Sequence, residues 1–147
     1  MVGFNENQFR LEIMNTINDI KILKIPVVED CRGNLAFVQQ QVLPFEFKRV
    51  YYLFDVPSNS FRGSHSHINQ SEVLIALSGS FEVVLNDGTE KKSFLLNKPN
   101  VGLHIPTGIW RELENFSSGS VCLVFASDVY SEADYIRDFD EFLESKK

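Results

Sequence analysis

A chain of 147 residues with a net charge of −6 is long enough to bury one core and too acidic for a nucleic-acid surface, which needs a basic patch. Hydrophobic residues at 44% and charged residues at 23% are the balance of a globular domain, and no apolar run approaches the roughly 18 residues of a membrane span. Cys31 and Cys122 are too few for a disulfide scaffold, and the polar start carries no secretory signal, so a cytoplasmic protein with no nucleic-acid or membrane partner is expected.

Residues 1–18 read as an N-terminal arm or a short helix, because Phe9, Ile13 and Ile17 recur at helical spacing. Residues 19–147 read as one domain. At Ile20 the hydrophobic period changes to two. Residues 20–25 form a first expected strand, closed by Pro26, and residues 29–34 a turn. Residues 35–42 are a second strand, broken by Pro44. Residues 45–54 are a third, with Arg49 and Tyr51 on one face. A loop at residues 57–60 leads into Arg62-Gly63-Ser64-His65-Ser66-His67. Strands follow over residues 71–78 and 81–85, then a hairpin signal at Asn86-Asp87-Gly88 and a strand at residues 93–96. Two short strands flank Pro106-Thr107-Gly108, and residues 121–126 are a continuous apolar strand. About ten short strands with turns every eight to twelve residues make an all-β sandwich or barrel, and 13 Phe and 4 Tyr suit its interior. From Ser131 onward, acidic residues followed by Tyr135, Ile136, Phe139 and Phe142 read as a short C-terminal helix ending at Lys146-Lys147.

The chemistry concentrates at the two histidines. In a strand, residues i and i+2 share a face, so His65 and His67 project into one space while Ser66 points the other way. Imidazole titrates near neutrality, which suits proton transfer. A pair of exposed histidines, or of buried ones with their hydrogen bonds satisfied, is the alternative reading.

The spacing His65-x-His67, four residues, Glu72, six residues, Gly79 resembles the first motif of the cupin superfamily, a small double-stranded β-helix or jelly roll; Asn59 replaces the leading Gly. Pro106-Thr107-Gly108 through Asn115 resembles the second motif, with Arg111 in place of its histidine. A cupin metal site usually combines both histidines and the glutamate of the first motif with the histidine of the second. Arg cannot ligate a cation and its charge repels one. His65, His67 and Glu72 remain as three ligands, with His104 as a conceivable fourth, but no metal or other cofactor is expected.

Four further segments resemble the nucleotide-sugar 3,4-ketoisomerases, the WxcM-like cupins related to FdtA and QdtA. They are Arg32-Gly33-Asn34-Leu35, Pro44 through Tyr52, Arg62-Gly63-x-His65-x-His67 and Ala133 through Asp138. The resemblance covers about residues 20–143. It implies a homodimer that converts dTDP-4-keto-6-deoxyglucose to a dTDP-3-keto-6-deoxyhexose, on the way to 3-amino-3,6-dideoxyhexoses of surface polysaccharide. His65 and His67 would carry protons, with His67, nearer the buried strand, read as the better base. Tyr51 would donate to the oxyanion or relay a proton, or else be a core tyrosine. Arg32, Arg49 and Arg62 would neutralise the diphosphate, since Arg holds phosphate oxygens in pairs. Trp110 would stack on thymine or pack in the core. Glu72, His104 and Arg111 would lie near the pocket. A metal-dependent cupin enzyme and a non-catalytic sugar-binding cupin remain as other readings.

Overall fold

The computed structural model describes residues 14–147. Its strands are β1 (Lys21–Lys24), β2 (Val27–Asp30), β3 (Gly33–Ala36), β4 (Arg49–Leu53), β5 (Arg62–His67) and β6 (Glu72–Ser78). They continue with β7 (Phe81–Asn86), β8 (Lys91–Leu96), β9 (Val101–Ile105), β10 (Trp110–Glu114), β11 (Val121–Ala126) and β12 (Tyr135–Ile136); helix α1 (Phe139–Ser145) ends the chain. Two five-stranded antiparallel sheets, ordered β1-β9-β6-β11-β4 and β12-β5-β10-β7-β8, form the jelly roll expected from the motif spacing. No helix among the described residues is long and apolar enough to cross a membrane.

Strand alternation builds two apolar layers. Leu74, Ala76, Leu103, Ile105 and Val124 of the first sheet meet Val83, Leu85 and Leu113 of the second in the interior. The alternate residues of the first sheet, Val73, Ile75 and Phe125, face outward and are covered by Ile25, Leu43 and Phe45. That cover explains a difference from expectation. Residues 37–48 form no strand, although residues 35–42 and 45–54 read as two. Val38, Val42, Leu43 and Phe45 are apolar because they lie across a sheet, not because they pair within one. Gln41 at φ 71° turns the chain so that it does so.

The turn expected over residues 29–34 is narrower than that: its two ends are strand, Glu29–Asp30 in β2 and Gly33–Asn34 in β3. Strands β2 and β3 form a separate two-stranded hairpin, with Val28 55% and Leu35 60% exposed. The N-terminal helix reading falls mostly outside the described residues; within them, Ile17–Asp19 is a single 3-10 turn capped by Thr16.

The expected C-terminal helix begins later than Ser131. Glu132–Asp134 is a 3-10 turn, Tyr135 and Ile136 pair with His67 and Ser66 as β12, and Asp138 then caps α1 by accepting from Glu141 N–H. Ladder hydrogen bonds to β5 outweigh the helical pattern for those two residues.

Candidate active site

A kink in β5 aims the first histidine. Opposite β10, His65 pairs with Arg111 and Gly63 with Glu112, so Ser64 is an extra residue, a β-bulge. Gly63 and Ser64 both take positive φ, at 90° and 57°. A Cβ on Gly63 would stand 3.0 Å from the Arg111 carbonyl oxygen, so the close strand approach needs glycine. Past the bulge, the rings of His65 and His67 meet edge to face with centroids 4.8 Å apart, and their Nε2 atoms are 3.1 Å apart. Ser66 between them is fully buried.

Glu72, the first residue of β6, faces the pair from the other sheet. Arg111 Nη1 donates to its Oε1 at 2.5 Å, and Tyr51 OH and Gln70 Nε2 donate to its Oε2. Glu72 and Arg111 are both 1% exposed. Arg111 Nη2 also donates to the Ile109 carbonyl. Arg49 lies over the rings of Tyr51 and Tyr130, donates only a long 3.4 Å bond to Gln70 Oε1, and leaves its Nε without a partner.

Asp134 closes the cluster behind His67. Its Oδ2 is 3.1 Å from His67 Nδ1 and accepts from Gln70 N–H, while Oδ1 accepts from Asn69 N–H. Tyr135 beside it packs on both imidazoles, with centroids 4.9 Å from His65 and 4.4 Å from His67. Neither Asp134 nor Gln70 is a site residue from sequence. The signal was present in the Ala133 through Asp138 segment, but the helical reading concealed that this segment lies on β5.

The surroundings hold both imidazoles neutral. Burial, then the Arg111 charge, brings His65 down to about 3. Burial, then Arg111 and His65, brings His67 down to about 2. Burial, reinforced by the charge of Glu72, drives the Tyr51 phenol far above its ordinary range, so Tyr51 is held as a donor to Glu72.

Arg49, Tyr51, His65, His67, Glu72 and Arg111 are thus one constellation. Four expected site residues lie elsewhere. Arg32 is at the tip of the β2–β3 hairpin, 86% exposed and paired with Asp30. Arg62 is exposed at the start of β5. Trp110 alternates with Arg111 and so faces out of the barrel, packed on Phe139 and Phe142 of α1. His104 pairs with Val73 on the outward face and packs on Phe45, so it cannot join the histidine pair.

The cupin fold raises the question of a metal. Ligand atoms of His65, His67 and Glu72 lie within 4.8 Å of one another. Yet both Glu72 oxygens are occupied by donors, and one donor is the fixed cation Arg111. A cation placed there would meet that guanidinium in contact range, so the residue set does not fit a metal.

Comparison with known proteins gives the family. The family model FdtA, WxcM-like, C-terminal, matches residues 18–147. The TDP-4-oxo-6-deoxy-alpha-D-glucose-3,4-oxoisomerase of Aneurinibacillus thermoaerophilus is 41% identical over 123 residues, 83% of this chain and 88% of that protein. A variant of the 3,4-ketoisomerase QdtA from Thermoanaerobacterium thermosaccharolyticum, solved with TDP-4-keto-6-deoxyglucose, superposes with a TM-score of 0.87 at 37% identity, covering 89% of this chain and 96% of that one. The WlaRB TDP-quinovose 3,4-ketoisomerase of Campylobacter jejuni superposes at 0.83 with 47% identity, covering 87% and 99%. With its inward histidine pair and this match over nearly its whole length, the chain belongs to the FdtA, WxcM-like family, whose matched relatives are 3,4-ketoisomerases of TDP-sugars.

Proposed function

We propose that the protein isomerises dTDP-4-keto-6-deoxyglucose to a dTDP-3-keto-6-deoxyhexose, with the His65–His67 pair carrying the proton. The observation that carries this reading is the pair itself: two neutral imidazoles in contact at 3.1 Å, one buried and one half-buried, beside an arginine-bearing wall. A base removes the C3 proton, the C3–H electron pair becomes the C3–C4 double bond of an enediolate, and the negative charge collects on O4. Reprotonation at C4, with the O3 proton lost and O4 taking one in its place, leaves the ketone at C3 and a hydroxyl at C4. Neutral imidazole is the form that can accept a proton, and a dry site strengthens each donor facing the oxyanion. Arg49 has unspent donors for a phosphate or the enediolate.

A 3-keto sugar is a substrate for amination, which supports a place before an aminotransferase in making 3-amino-3,6-dideoxyhexoses of surface polysaccharide. Two unpaired thiols, exposed Cys31 and buried Cys122, suit the reducing cytoplasm. The apolar residues of the β2–β3 hairpin, open among the described residues, support a homodimer in which a second chain covers them; light scattering that finds a monomer at micromolar concentration would contradict it. The reaction is tested by incubation with dTDP-4-keto-6-deoxyglucose and NMR of the product. A new C3 ketone is expected; unchanged substrate that nonetheless binds tightly would make the protein a sugar-binding cupin.

A further inference from the structure

We propose that Asp134 is the positioning residue of the histidine pair: it fixes the proton of His67 on Nδ1, so that His67 Nε2 faces His65 as an acceptor and the two imidazoles act as one proton-holding unit. This rests on the reading that the pair carries the substrate proton.

Three contacts set the direction. First, both oxygens of Asp134 already accept backbone N–H groups, of Asn69 at 2.6 Å and Gln70 at 3.2 Å. The side chain is locked as an acceptor, and the His67 Nδ1 that it meets at 3.1 Å carries the hydrogen. Second, Gln70 cannot be turned round. Its Oε1 accepts from Arg49 and its Nε2 donates to Glu72, which leaves an N–H side facing His67 Nε2 at 3.5 Å. That nitrogen therefore presents a lone pair. Third, His65 Nε2 lies 3.1 Å from the same lone pair, where a second lone pair would repel it, so His65 donates its Nε2–H to His67. The chain Asp134, His67, His65 runs in one direction.

The burial of the two rings gives the roles. The His67 side chain is 0% exposed, and His65 retains some exposure. His65 is thus the member that meets substrate, reversing the preference drawn from sequence. With Nε2–H given to His67, the lone pair that takes the C3 proton is on His65 Nδ1, which is buried and without a hydrogen-bond partner beside the Gly63 backbone; taking that proton makes His65 an imidazolium. Its Nε2–H is held by His67, whose own Nδ1–H is held by the Asp134 carboxylate. The charge is spread over three groups while the enediolate exists, the arrangement by which an acid orients a catalytic imidazole in hydrolase triads. The Gly63 carbonyl also favours the protonated ring, although Nδ1 of His65 makes no hydrogen bond with it in the neutral state.

The full chain labelled with nitrogen-15 histidine tests this by long-range proton–nitrogen NMR at pH 7. His67 is expected with a protonated Nδ1 and a bare Nε2. A proton found on Nε2 of His67, or on Nδ1 of His65, overturns the proposal. Asp134→Asn places an amide N–H against either His67 or a backbone N–H. Its kcat is expected to fall by about a hundredfold, with KM for the keto sugar within about twofold, and the His67 tautomer to lose its single form. Wild-type kcat in that variant overturns the proposal. Should the variant fail to fold, the spectrum of the unaltered protein still decides. His65→Asn separates the two readings: full turnover there sinks the histidine mechanism itself, whereas an inactive His65→Asn beside a fully active Asp134→Asn sinks only the role of Asp134.

Discussion

Glu72 and Arg111, 39 positions apart and each 1% exposed, form the buried ion pair on which the site rests. Removing one partner strands a buried charge, a loss of about 3–5 kcal/mol, whereas replacing both with packed neutral groups is often near neutral. Arg111→Met is therefore expected to lower stability by that amount in urea unfolding, and Glu72→Gln with Arg111→Met to recover most of it. Additive losses in the double variant would show that the two side chains are not coupled.

The same pair shows how far the sequence could be read. The spacing of His65, His67 and Glu72 was enough to aim three side chains into a barrel, because strand alternation and motif spacing are local properties. Arg111 was legible as a missing metal ligand, since one residue type rules out ligation. What Arg111 does instead, clamping Glu72 across the barrel, depends on the distance between sheets, which no local pattern encodes. Trp110 and His104 lie apart from the histidine pair for a related reason. Each neighbours an inward residue, Arg111 or Leu103, and alternation turns it outward beneath α1 or Phe45. Asp134 stayed hidden because Tyr135 and Ile136 obey a helical pattern and pair as a strand.

His65→Asn should leave the fold and dTDP affinity nearly unchanged and reduce turnover by about two to four orders of magnitude, the usual contribution of a general acid–base group. Asn keeps a polar group beside His67 but cannot titrate. Stopped assays followed by NMR, with calorimetric titration of dTDP as control, measure both halves. Solvent deuterium should enter the product of the unaltered enzyme. Near-normal turnover in both His65→Asn and His67→Asn would return the pair to a structural role.

Acid should destabilise the protein well above the carboxylate range. An unfolded histidine takes its proton near pH 6.5, whereas folded His65 resists it to about 3. Between those values the unfolded state binds more protons, so stability falls as pH is lowered through this window. From pH 7 to pH 5 the loss is about 2 kcal/mol for each such imidazole, and His67, held low by the same burial, adds a second share. Urea midpoints from pH 7.5 to 5 should show this slope, and His65→Asn should flatten it. An unchanged slope in that variant would mean that His65 is not buried neutral.

The bulge ahead of His65 offers a final test, because it separates strain from aim. Gly63→Ala forces a φ of 90° on an L residue and pushes a methyl group to 3.0 Å from the Arg111 carbonyl and 3.4 Å from Leu113 Cδ1. The positive φ alone costs about 1–3 kcal/mol. Gly119, at φ 72° with nothing within 4 Å of its absent Cβ, supplies the control, since Gly119→Ala meets the backbone cost without the contact. Both variants should lose stability by thermal melting. Only Gly63→Ala has a strand to move: relieving its contact slides β5 against β10 at the pairing of His65 with Arg111. Turnover in Gly63→Ala should therefore fall by at least about tenfold, since small misplacement of a base is costly, while Gly119→Ala keeps its rate. Equal rates in the two folded variants would show that the bulge supports the sheet without aiming the histidine.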